Sequence, residues 1–112
     1  MIVKTKTYIH EHRVDNRDHQ HLKEDSEYTV IGIDDENFRI INDIGEPVLY
    51  PKTLFIVLDP IIPKTWVKEE FEDGEYHVNP LELSSRGFYE KYFEKDTKAV
   101  KIFKKFIKEN KL

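Results

Sequence analysis

LYPKTLFIVLD, residues 49–59, decides how the chain is read. Two apolar runs flank Pro51, Lys52 and Thr53. VLY (48–50) reads as a short strand and PKT as a tight turn, because proline presets φ for the first turn position. LFIVLD (54–59) is rich in β-branched and aromatic residues and reads as the next strand.

The same signals extend in both directions. Upstream, IVKTKTYI (2–9) alternates apolar and polar residues, EYTVIGI (27–33) is a second strand closed by the polar turn DDEN (34–37), and FRIIND (38–43) is a third. IGEP (44–47) supplies the turn before VLY. Downstream, Pro60 and Pro63 mark a boundary, since neither extends a central strand. WVKEEF (66–71), the turn EDG and EYHV (75–78) predict a β-hairpin with Gly74 at its tip. NPLELSSRG (79–87) predicts a short helix, with Asn79 as N-cap, Pro80 at the first helical position and Gly87 as the stop. FYEKYF (88–93) is a short helix or turn. Asp96 caps a predicted helix from Thr97 to about Asn110, in which Ala99, Val100, Ile102, Phe103, Phe106 and Ile107 form one apolar face.

Five short strands in the first 59 residues, with one long early loop and a proline-initiated turn before the last strand, resemble the SH3-like small β-barrel. The resemblance rests on residues 27–59, above all on LYPKTLFIVLD. It implies an α+β fold in one domain, 1–112: an SH3-like small antiparallel β-barrel over 1–59, then a β-hairpin and a C-terminal amphipathic helix in 60–112. The block from EYTVIGI through FRIINDIGEPVLYP to GFYEKYF is also similar to small bacterial proteins, some of which act as immunity proteins that neutralise a toxin by binding it. That resemblance brings no catalytic residue with it.

Composition narrows the function classes. The chain has 112 residues, a net charge of −4 and no cysteine. Disulfides, thiolate metal ligands and a cysteine nucleophile are thereby excluded. No apolar run suggests a signal peptide or a membrane span, so a cytoplasmic location is expected. Residues 95–112 carry seven lysines against Asp96 and Glu109, a balance of +5, which leaves −9 on residues 1–94. An acidic body disfavours nucleic acid and favours a protein partner with a basic surface.

Three groups are candidates for that role. EEFEDGE (69–75) gathers Glu69, Glu70, Glu72, Asp73 and Glu75, either as a steering patch for a basic partner or as a turn kept soluble by its charge. Tyr8, Tyr50 and Trp66 are candidate anchors in a groove of the SH3 type, against the plainer reading of core and rim packing. HEHRVDNRDHQH (10–21) holds four of the five histidines. Its pairs His10/His12 and His19/His21 have the two-residue spacing that puts imidazoles on one strand face, as a zinc site requires. Strand alternation, however, sets His10 and His12 beside Lys4 and Lys6 on a solvent-facing row, so a polar loop is the favoured reading. Ser84 and Ser85 lack a nucleophile-elbow context, and no phosphate loop or HExxH is present. The expectation is a non-catalytic protein-binding module needing no cofactor, with metal binding through the histidines or a small-barrel nucleic-acid binder as alternatives.

Overall fold

The computed structural model describes residues 1–7, 9 and 21–112. Among these residues seven strands and two helices run in the order β1 (Ile2–Thr5), β2 (Glu27–Asp34), β3 (Asn37–Ile41), β4 (Pro47–Pro51), β5 (Phe55–Asp59), β6 (Val67–Glu70), β7 (Tyr76–Asn79), α1 (Phe88–Phe93) and α2 (Thr97–Glu109). All pairings are antiparallel, along the path β4-β3-β2-β1-β5, with β7 joining β2 and β6 joining β7. The fold is α+β. The path is open, since β4 and β5 are not neighbours in it.

The decisive stretch folds as its residues dictate. Pro51 ends β4, Lys52–Leu54 make one 3₁₀ turn, and Phe55 begins β5. The turn before β4 is built by Asn42, whose buried side chain accepts hydrogen bonds from the N–H groups of Ile44 and Glu46 and donates to the Tyr50 hydroxyl. Gly45 takes φ 78°, the left-handed region open to glycine.

β1 stops at Thr5, four residues before the predicted end. Thr5 is buried, its hydroxyl donates to Lys23 O at 2.6 Å and its N–H to Ser26 O, which ties the strand end to the β2 approach. The helix predicted over 80–87 is not formed. Asn79 closes β7, Leu81–Leu83 make only a 3₁₀ turn, and Gly87 (φ 71°) leads into α1 instead of ending a helix. Leu83 is the one side chain that the 3₁₀ turn buries, and the Ser84 hydroxyl bonds Leu81 O, competing for a helical carbonyl. One buried contact does not offset the cost of nucleating a helix.

Two apolar clusters share β2. Val30 and Ile33 join Val3, Tyr28, Phe38, Ile40, Tyr50 and Phe55 on the inner face. Opposite them the register slips: Val30 faces Ile40, but Gly32 faces Arg39 and Ile33 faces Phe38. Ile31 is therefore the extra residue of a β-bulge and turns to the outer face. There it packs with Leu83, Phe88, Ala99, Phe103 and Phe106. α2 supplies three of those side chains, its first turn held by the Asp96 carboxylate, which accepts from Ala99 N–H at 2.9 Å. Tyr92 of α1 rests on Phe103, ring centroids 4.9 Å apart. No helix among the described residues is long and apolar enough to cross a membrane.

Candidate functional site

The predicted hairpin forms as β6 and β7, with the tip closed by Phe71 N–H to Glu75 O and by Asp73, whose carboxylate accepts from Glu75 N–H. β7 pairs with β2 at Ile33–Val78 and Asp34–His77. That pairing carries the hairpin tip to the β2–β3 turn, so that two acidic turns nearly forty residues apart in sequence become neighbours. The Glu75 carboxyl registers the meeting. Asp73 and then Asp35 push its pKa above the ordinary value, Glu36 adds to the rise and His77 opposes it. Asp35, Glu36, Glu72, Asp73 and Glu75 are all exposed.

The five predicted carboxylates do not act as one face. Glu69 stands opposite His77, which in turn stands opposite Asp34, so these three form a row on the outer face. Glu70 lies on the other face, 3.1 Å from the Lys68 ammonium. Asp34 is occupied as the turn's organiser, accepting from the N–H groups of Glu36 and Asn37.

Beside that row a cleft of about 620 Å³ opens between the outer face of the sheet and the segment leading into α1. Asp34, Glu69, His77 and Phe71 line one side, with the Phe71 and His77 rings in edge contact at 5.0 Å. Arg39 and Arg86 line the side toward α1. The Arg39 guanidinium lies 3.7 Å above the Tyr89 ring and donates to Pro47 O. Burial lowers its pKa, against the opposing pull of Tyr89 and Asp34. Burial pushes the Tyr89 hydroxyl up to about 12, and its oxygen has no hydrogen-bond partner among the described residues. The floor passes Gly32, where a Cβ would stand 2.6 Å from Asn79 Oδ1.

The aromatic candidates separate. Tyr50 is 1% exposed and part of the inner core, so it offers a partner no surface; an apolar strand position opposite Phe38 decides its burial. Trp66 is half-buried against the same core. Tyr8 lies outside the described residues, as do His10, His12 and His19; His21 is exposed. Among the described residues no three metal-capable side chains are grouped so that they could hold a metal ion. Phe71, 40% exposed beside Glu69 and His77, is a surface aromatic at this site that sequence reasoning missed, although its place inside EEFEDGE is a visible signal.

No family model matches this chain, and no curated protein or solved structure matches it either.

Proposed function

We propose that the protein is a non-catalytic protein-binding module that takes a partner with a basic surface on the acidic end of its sheet. Neutralisation of a basic toxin, in the manner of an immunity protein, is its most concrete form, and a cytoplasmic location belongs to the same proposal. The observation that carries it is the convergence of the two acidic turns, which the pairing of β7 with β2 brings to one end of the sheet. Carboxylates gathered at one end steer a cationic partner and raise its association rate. The row Glu69–His77–Asp34 and the exposed Phe71 then offer a basic side chain both charge and an aromatic wall at the mouth of the cleft. The strand order β4-β3-β2-β1-β5 and the 3₁₀ turn before β5 support an SH3-like barrel as the scaffold.

The test is capture from cells that make the protein, comparing the natural chain with a variant carrying D35N, E36Q, D73N and E75Q. All four residues are exposed, and Asp34 is left in place to keep the turn. A basic protein retained at low salt by the natural chain, released as salt rises and lost by the variant, is the expected outcome. Equal retention by both chains would move the partner to another surface and end this reading.

A further inference from the structure

Among the described residues the strand β5 ends the sheet with no strand paired to its outer edge, and its residues invite a second strand. Ile56 is 53%, Val57 42% and Leu58 49% exposed, and Ile61 and Ile62 continue the apolar run past Pro60. An edge strand normally carries a charge, a proline or a bulge that discourages pairing. Here the charge is delayed to Asp59 and the proline to Pro60, and the single bulge, at Leu58, begins only after Val57 and turns Leu58 to the outer face.

The backbone is also available. Lys6 N–H bonds Leu54 O across β1, and Lys4 stands opposite Ile56. By strand alternation Leu54 and Ile56 turn their N–H and C=O groups to β1, so Val57 turns both of its groups to the open edge.

We propose that a second copy of this chain occupies that edge, β5 pairing antiparallel with β5 about a two-fold axis at Val57. The register is self-complementary. Val57 exchanges both hydrogen bonds with its counterpart, and Ile56 of each copy meets Leu58 of the other on the outer face, where cross-strand aliphatic pairs stabilise a sheet. Asp59 lies beyond the bulge and away from the axis, not opposite its own counterpart, so no like charges meet. A strand from an unrelated protein would have no reason to match aliphatic residues on both sides of one centre. The five aliphatic side chains expose on the order of 400 Å², the size of the largest apolar patch on an ordinary monomer, which is often functional. That is about half of the roughly 800 Å² per partner in a stable interface, so the dimer is weak and concentration-dependent.

Two experiments on the full chain test this surface independently of the acidic end. Sedimentation of the natural chain between about 10 μM and 1 mM should show the mass rising toward two chains and no further, while I56K stays at one. Ile56 is exposed, so circular dichroism of I56K should match the natural chain. A natural chain monomeric at about 1 mM, an I56K that associates equally well, or growth past two chains would overturn the two-fold pairing. Because the chain has no cysteine, V57C provides a second readout. Directly paired residues stand about 5.5 Å apart at Cα, within disulfide reach. V57C should therefore oxidise to a crosslinked dimer much faster than L81C, an exposed site on the 3₁₀ turn after β7. Equal rates would reject the contact.

Discussion

Ile31 and Ile56 are the same residue type on the outer face of the same sheet, and they end in opposite surroundings, 1% and 53% exposed. The difference does not lie in the apolar content of their strands, which is similar. It lies in the chain that comes after each strand. The bulge in β2 turns Ile31 outward where the chain, more than fifty residues later, lays Leu83, Phe88 and α2 over the strand. Among the described residues β5 pairs only with β1, and the connection after it runs through two prolines with no strand or helix before β6. β6, also an edge strand, carries Lys68, Glu69 and Glu70 and needs no cover. Burial of a strand face is thus a property of the later chain, while protection of an edge is written in the strand itself.

The contrast breaks most visibly under truncation. Ile31→Ala removes buried methylenes from a packed cluster and should cost about 2–5 kcal/mol. Ile56→Ala changes a half-exposed side chain with little packing and should cost under about 1 kcal/mol. Urea unfolding at low micromolar concentration, below the range in which the proposed β5 pairing forms, measures both. Equal losses at the two positions would mean that the outer cluster is not packed as described.

Sequence reasoning reached one side of this contrast and not the other. β4, the turn and β5 were legible because Pro51 and the β-branched run are local signals. α2 was legible because thirteen residues repeat one apolar face behind an aspartate cap. The bulge left only a weak trace, Gly32 inside an apolar run, and nothing in EYTVIGI says which residue is extra. The 80–87 segment carried correct helix punctuation, but punctuation without an apolar face does not make a helix. The meeting of the two acidic turns was not legible at all, because it depends on β7 pairing with β2 across more than forty residues. The burial of Tyr50 was hidden for a related reason, since the neighbouring strand decides it.

If α2 is what covers Ile31, weakening its start should uncover it. Asp96→Ala removes the acceptor for Ala99 N–H and should cost about 1 kcal/mol. The loss should appear as faster amide exchange through α2 and at Ile31, with β5 amides unchanged. Uniform acceleration over the sheet would show instead that the two sides open together.

The smallest effect lies at the charged end, and its sign is informative. A carboxyl whose pKa is raised in the folded protein holds its proton more tightly there than in the unfolded chain. Its contribution to stability is therefore complete below the unfolded value, near about 4.3, and is lost as pH rises through the higher folded value. At neutral pH the Glu75 charge works against the fold, because Asp73, Asp35 and Glu36 are already there. E75Q should raise the melting temperature slightly at pH 7 and low salt. The gain should fade below about pH 4, where Glu75 is protonated in both states, and should shrink in about 1 M salt as the field is screened. A lower melting temperature at pH 7 would mean that Glu75 is paired, not crowded, and that the acidic end holds no surplus attraction for a basic partner. Crowded charge at one end of the sheet and bare aliphatic surface along β5 are two different sources of instability, and each is relieved by a different kind of contact.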